Sequence, residues 1–317
     1  MSPRPLLALA LAPLLGGHAR AGVPLPDALR PHLVCAYDFE HPAPDDAAIE
    51  LDSGVSGTPL HLVNGGAAMR VADGARPGSL RSLQTRQVSP DHAGDDDWKA
   101  GCFSPAPEGV ASLARFRAAS GVTLMGWVKS TAPALRPAPD TTTPAPDDRH
   151  HAIGLFGLLH GASDGHQVRA LIELFPVDGH LRLVALGRRL DEGEALFVAA
   201  AEDPDLLLPP DTWVHLAATF DYATGAIALY RNGAPLKTLP PRPANDPWRL
   251  ARPDMASPGR SSPTTPAGIK IGGSFPQNTR ERNPFDGRFD DLLFFDRALD
   301  AGHLRDCHLA ASAPPTR

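Results

Sequence analysis

The chain has 317 residues, 42% of them hydrophobic and 21% charged, with a formal net charge of −6. That apolar fraction is ordinary for a packed globular chain. The acidic balance, with no basic run of useful length, argues against nucleic acid or an anionic membrane as the main partner, because both reward clustered Lys and Arg.

The N-terminus reads as an export signal. Arg4 supplies a positive start, Leu6 to Leu15 an apolar stretch, and Ala19-Arg20-Ala21 a small-residue cleavage site before Gly22. The apolar stretch is too short to span a bilayer, and no cysteine follows the cut to carry a lipid. Residues 1–21 are therefore expected to be a signal peptide and 22–317 one exported, soluble domain, periplasmic or extracellular.

The first mature element is His32 to Glu40, an apolar run that ends in acidic residues, followed by a turn at Asp52-Ser53-Gly54. Leu60 to Val71 reads as strand, turn at Asn64-Gly65-Gly66, and strand. Gly101 to Ser104 and Val122 to Ser130 come next, with Trp127 assigned to the sandwich core because large aromatics dominate such cores. Ile153 to Leu159, Val168 to Phe175 and Leu181 to Leu186 are three further strands, turning at Gly161 to Gly165 and Val177 to Gly179. In Trp213 to Leu236, Val214, Leu216, Ala218 and Phe220 alternate with their neighbours at the period of a strand. Asp221 to Gly225 supplies a turn, Ala226 to Tyr230 a second strand, and Asn232-Gly233 a type I′ hairpin signal. Gly268 to Gly272 and Phe285 to Arg297 close the series. Thr131 to Asp148 and Pro240 to Pro266, rich in Pro, Thr, Ser and Ala, cannot pair as central strands or bury enough surface to fold alone. They read as long loops between strands, serving as binding loops or as disordered decoration, and Trp248 gives the second a stacking anchor.

Several of these segments carry a family pattern. WVHLAATFDYATGAIALYRNG, residues 213–233, resembles the W-x-H-x-A-x-T-(Y/F)-D…G…L-Y-x-N-G signature of LamG-like jelly-roll domains in the concanavalin A-like superfamily. VTLMGWVKS at 122–130 resembles that family's F-T-x-x-x-W-V-K strand, and residues 285–299 its F-x-G-x-I-D-D-V-x-I-Y-x-R-A-L closing strand. The likeness runs in order from about residue 32 to 307. It implies an all-β chain: a two-sheet antiparallel jelly-roll β-sandwich with long Pro-rich loop insertions.

The resemblance implies more. First and last strands are neighbours in the family, which makes Cys35 and Cys307 partners for a disulfide in an oxidising compartment, with Cys102 a rival for either and one thiol left over. A structural calcium ion is common between those strands. Carried over by position, its ligands are Asp290 and the acidic end of the opening strand at Asp38 and Glu40. By simple alternation Asp290 shares a face with Leu292 and Phe294, and Asp291 with Phe289 and Phe295, so each carboxylate sits on an apolar row and needs a donor or an ion. The alternative for Asp290 is to cap backbone amides or pair with Arg288 or Arg297. Asp95-Asp96-Asp97 is a second acidic run, read as solvated.

Signals for catalysis are weak. Glycosidases of the superfamily place paired carboxylates as E-x-D-x-x-E on one strand, whereas here Glu50-Leu51-Asp52 is followed by Val55 in the second Glu position. Polysaccharide lyases on this scaffold need basic and Tyr side chains for proton abstraction, and no motif of theirs is visible. Gly161 to Gly165 matches G-x-S-x-G but lacks the following helix. His150, His151, His160 and His166 lack transition-metal spacing. The expected function is a non-catalytic module that binds carbohydrate or glycoconjugate through strand-end loops. A protein-interaction or adhesion module of the cell envelope is the second reading, and an unrecognised glycan-active hydrolase or lyase the third.

Overall fold

The structure, a computed structural model, describes residues 23–88, 96–104, 106, 108–117, 119–133, 135, 153–159, 168–188, 195–240, 242–243, 265–273 and 285–313. The histidine group at 150–166, the Gly161 to Gly165 turn, the export signal and most of both Pro-rich segments, with Trp248, lie outside the described residues.

In chain order the strands are β1 (Leu33–Tyr37), β2 (Ile49–Glu50), β3 (Leu60–Val63), β4 (Arg70–Val71), β5 (Ser82–Thr85), β6 (Lys99–Phe103), β7 (Gly121–Ser130), β8 (Ile153–Leu159) and β9 (Val168–Val177). They continue as β10 (His180–Arg188), β11 (Ala195–Ala199), β12 (Val214–Asp221), β13 (Ala226–Arg231), β14 (Ala234–Pro235), β15 (Arg242–Pro243), β16 (Gly268–Ile271) and β17 (Gly287–Phe295). One sheet has eight strands in the order β14-β13-β12-β7-β17-β5-β4, with β1 also paired to β17. The other has nine, β15-β11-β10-β9-β8-β16-β6-β3-β2. All pairings are antiparallel, the arrangement of a jelly-roll sandwich.

Alternation decides which side chains meet between the sheets. Val214, Leu216, Ala218 and Phe220 of β12 face Ile172 and Leu174 of β9 and Ile269 and Ile271 of β16 across one apolar core. Both turns of the 213–236 segment form as their residues require. Asp221 accepts bonds from the amides of Ala223 and Thr224, and Asn232 and Gly233 hold φ of 50° and 75°, the left-handed pair of a type I′ turn.

The outer face of the eight-stranded sheet is covered in turn. Helix α1 (Ala301–Ser312), which the strand-based reading passes over, starts at Asp300, whose carboxylate accepts the His303 amide at 2.8 Å. Leu304, Cys307 and Ala311 are its buried residues, and Leu304 and Cys307 pack with Val23, Leu25 and Leu29 against Met125, Leu293 and Phe295. Trp127 belongs here too. It is buried, but against His215 and the helix residue His308 rather than in the inter-sheet core to which the sequence assigned it, because it alternates with the core residue Val128.

The same geometry corrects the cysteine pairing. All three cysteines are free and buried. Cys35 faces the inter-sheet core and Cys307 lies under the helix on the far side of the same sheet, so their side chains point apart and no bond closes. Cys102 lies in the inter-sheet core on the opposite sheet. Burial pushes the Cys35 thiol far up, and those of Cys102 and Cys307 up to about 12. The native protein should therefore leave a thiol reagent unconsumed, take up three equivalents once denatured, and show no mass change on reduction; a two-hydrogen gain would establish a disulfide.

Candidate functional site

The expected ligand strand, β17, has an irregular middle. Along one edge it pairs with β5 at Gly287 to Phe289 and then with β1 at Leu292 to Phe295. On its other edge the register with β7 shifts between Asp290 and Leu293. Asp291 takes φ 45° there, a conformation non-glycine residues rarely adopt. This β-bulge corrects the simple alternation. It consumes one residue, so Phe289, Leu292 and Phe294 all face the inter-sheet core while Leu293 and Phe295 face the helix.

Around the bulge five carboxylates are buried: Asp38, Glu40, Glu50, Asp290 and Asp291. Asp290 accepts from the Ala75 amide at 2.8 Å, the Ser79 hydroxyl at 2.6 Å and the Asp291 amide at 2.8 Å. Asp291 takes a two-pronged ion pair from Arg76. Glu40 accepts the Leu80 amide. Asp38 accepts the Glu40 amide at 3.1 Å and faces the His41 ring nitrogen at 2.7 Å. Glu50 accepts the His41 amide and the Arg70 guanidinium. Burial, then the charge of Asp291, holds the Asp290 carboxyl well above the usual carboxylate range, and burial raises Asp291 against the pull of Arg76. Arg288, one alternative partner for Asp290, instead shares Asp73 with Lys129. Arg297, the other, contacts the His32 ring.

Calcium takes six to eight oxygens, and the donor set does not fit it as it stands. Three donors already occupy the Asp290 carboxylate, and the guanidinium of Arg76 already supplies positive charge to this cluster. Asp38, His41 and Glu50 do offer ligand atoms within 4.8 Å of one another. Yet both oxygens of Glu50 carry hydrogen bonds, and the His41 nitrogen is a poor calcium ligand. The second acidic run is also structural where described, since Asp97 accepts the Val88 amide.

The glycosidase-like residues are spent on turns and pairing. Asp52 accepts from the amides of Ala36, Gly54 and Thr58 and from the Ser56 hydroxyl, and Glu50 is closed by Arg70.

A second surface emerges only from strand pairing. His61, Gly101, Lys270, Gly157, Leu171 and Leu186 lie in one register row across the nine-stranded sheet. Their strand neighbours point into the core, so this row lies on the outer face. Lys99 and Glu173 share the face from neighbouring rows, and both are buried. Among the described residues Glu173 is the sole carboxylate on the strands of this face.

A sequence profile described as that of the concanavalin A-like lectin/glucanases superfamily, of the laminin G type, matches residues 111–305. The chain belongs to this superfamily. The matched span begins after β6, yet the structure completes both concanavalin A-like sheets with earlier strands, β1 on β17 and β6 on β16. No curated protein matches the sequence. Among solved structures, the binding domain of botulinum neurotoxin DC in complex with rat synaptotagmin II has a TM-score of 0.51 at 10% identity, over 90% of this chain and 53% of that one. A crystal structure described as a receptor binding domain gives 0.51 at 10% identity, over 90% and 52%. A Trypanosoma rangeli sialidase gives 0.47 at 13% identity, over 92% and 34%. This chain thus spans about half the length of the first two, and with them, at this identity, it shares a fold alone.

Two predictions follow from the buried charges. Arg76→Met should cost about 3–5 kcal/mol of unfolding free energy by stranding Asp291, and Arg76→Met/Asp291→Leu should recover much of it. In the same melts EDTA and millimolar calcium should leave the wild type unchanged; a calcium-dependent rise in melting temperature would show that the carboxylates release their donors to an ion. The second concerns pH. Burial, then His308, holds His215 down at about 3, and burial lowers His308, so the unfolded chain takes up their protons first and stability is lost as pH falls below about 6.5. Asp290 and Asp291, raised in the fold, act in the opposite sense and regain stability on acidification. His308→Phe should therefore flatten the acid limb of a melting-temperature profile, and Asp290→Asn should steepen it.

Proposed function

We propose that this chain is a non-catalytic glycan-recognition module, acting after export, that binds its ligand on the outer face of the nine-stranded sheet. The observation that carries the reading is the make-up of that face. Lys99, Lys270 and Glu173 are buried there, with His61 exposed in the row of Lys270, whereas the outer face of the other sheet is apolar and closed by a helix. Gly101 and Gly157 add no side chains to the row between His61 and Leu171. Flat, hydroxyl-rich rings suit such a surface, with polar contacts fixing orientation and apolar area supplying contact. Membership in a superfamily of lectins and glucanases supports a sugar ligand over a protein partner.

The absence of turnover in this reading rests on carboxylate placement. Glycoside hydrolysis requires two carboxyl groups flanking one bond. On the described strands of this face Glu173 stands alone, and Glu50 and Asp52 are committed to internal hydrogen bonds.

A glycan array probed with the exported chain tests the proposal. Selective, saturable binding that weakens about fivefold or more in His61→Ala, a loss typical of one polar contact, is the expected result, with the melting temperature unchanged. A blank array from a folded sample would shift the assignment to a protein-docking module, and release of reducing ends from a bound glycan would make it an enzyme.

A further inference from the structure

We infer that helix α1 is an acid-released strap: in mild acid it lifts from the outer face of the eight-stranded sheet and uncovers the apolar residues beneath, while the sandwich stays folded. The inference is independent of the glycan reading.

The strap is weakly held. Of its 12 residues only Leu304, Cys307 and Ala311 are buried, less than one per turn. Among the described residues no hydrogen bond or ion pair joins 301–312 to the sheet, and the bonds of the first turn run to Asp300. At the far end the docking is polar and incomplete. His308 lies over Trp127 and His215, with ring centroids 5.3 to 5.6 Å apart. The helix also approaches the β13–β14 turn closely, since a Cβ on Gly233 would stand 3.0 Å from Arg305 Cα and from His308 Cβ. In this contact the Trp127 indole nitrogen and His308 Nδ1 are buried with no hydrogen-bond partner. Buried groups left unpaired cost stability, and water satisfies both once the helix moves away. Segments with few buried apolar contacts open before the rest of a fold. A hinge is present as well. The Leu299 amide donates to the Thr123 hydroxyl at 2.9 Å, and that hydroxyl donates to the Arg297 carbonyl at 2.7 Å. The chain is thereby pinned to β7 up to Leu299, and the helix pivots at Asp300.

Two histidines make this contact sensitive to acid. Burial, then His308, holds docked His215 down at about 3, and burial lowers His308. Freed of the helix, both rings return towards the ordinary value near 6.5. The lifted state therefore takes up protons that the docked state refuses, and it gains population as pH falls below about 6.5. No charged group on the surrounding elements offsets this. On β7, Lys129 is held by Asp73. On β12, Asp221 caps the turn at the far end of the strand. On β13, Arg231 donates to the Leu207 carbonyl, and burial raises the Tyr230 hydroxyl. On β17, Arg288 shares Asp73, Asp290 is bonded by Ala75 and Ser79, and Asp291 pairs with Arg76. Asp27 of the N-terminal segment pairs with Arg30. On the helix, Asp300 faces His303, while Arg305 and Asp306 are exposed. Among the described residues no carboxylate pairs with the ring of His215 or His308, so nothing stabilises a protonated ring in the docked state. His215 alone then favours the lifted state by about thirtyfold between neutral pH and about pH 5, and a docked His308 that stays neutral multiplies the gain.

Cys307 reports the event, because it is buried beneath the helix whereas Cys35 and Cys102 lie in the inter-sheet core. The exported chain is treated with dithiodipyridine, which reacts with thiols in acid as well as at neutral pH, and the labelled cysteine is located by peptide mass. Rates are normalised to a free cysteine peptide at the same pH. At neutral pH all three cysteines should stay protected. At about pH 5 the normalised rate at Cys307 should rise by about thirtyfold or more, with Cys35 and Cys102 still protected. The rise should vanish in His215→Gln/His308→Gln, whose side chains do not titrate. Hydrogen exchange on the wild type gives a second readout should that variant fail to fold: amides of 304–311 should lose protection at about pH 5 while those of β7 and β12 keep theirs. Labelling of all three cysteines together would mean that acid unfolds the whole sandwich, and would overturn the strap. So would continued protection of Cys307 at about pH 5, or a rise that persists in the folded double variant.

Discussion

One edge of β17 serves two strands, and the sandwich is organised around how that edge is shared. β5 takes its first three residues and β1 its last four, so the ladder is interrupted at Asp290 and Asp291. Backbone polar groups left unpaired inside a protein are expensive, and the interruption would be a defect if nothing filled it. The segment from Asp73 to Leu80 lies against it and bonds the neighbouring carboxylates. Ala75 and Ser79 bond Asp290, Arg76 pairs with Asp291, and Leu80 reaches Glu40 beyond the end of β1. The bulge and the buried acidic cluster occur together: where the ladder breaks, the carboxylates of Asp290 and Asp291 tie the 73–80 segment to β17. The aspartate pair that the family pattern marks for an ion thus has a structural task that needs none, because a guanidinium supplies the positive charge from within.

That arrangement sets the roles of the two sheets. The bulge resets the alternation of β17, placing Leu293 and Phe295 outward and so making the outer face of the eight-stranded sheet apolar enough to hold a helix. His215, His308 and Trp127 join the helix to the sheet as a ring cluster with centroids 5.3 to 5.6 Å apart. The outer face of the nine-stranded sheet differs in carrying Lys99, Lys270 and Glu173 beside an apolar cluster of Val177, Val184 and Ala199. Lectins and enzymes of one fold can differ in just this respect, since function resides in the side chains a scaffold presents and not in the scaffold.

Much of the fold was legible in the residues. β12, β13 and their two turns follow from alternation and from Asp, Asn and Gly at positions that need local acceptors or positive φ. The edges of β7, β8 and β17 fall close to where the apolar runs begin and end. The strands that escaped reading, β2, β5, β11, β14 and β15 (the last inside a segment read as a loop), are short and have no clear period of their own; they exist because longer neighbours offer them an edge. Helix α1 had a signal, Asp300 as an N-cap with Leu304, Cys307 and Ala311 at helical spacing, but it adjoins a strand motif and is half polar. Trp127 was rightly read as buried and assigned to the wrong face, and Cys35 and Cys307 were linked across a sheet that separates them. Both errors share a cause. Adjacency of strands says which residues are near in the plane of a sheet, but not on which side of it they stand.

The residues alone determined the fold family, because strand period, turn chemistry and the Trp213 to Gly233 pattern are local properties that need no distant partner. They also marked Asp290 and Asp291 as groups requiring an explanation, since carboxylates on apolar rows do. Only the tertiary structure decided what satisfies them, and only it set His61, Gly101, Lys270, Gly157 and Leu171 in one row, from positions spread over 210 residues of sequence numbering. A single β-bulge shifts every later side chain to the opposite face, and pairing between strands far apart in the chain depends on the sum of such local choices. The surface proposed here for ligand binding is therefore a product of register.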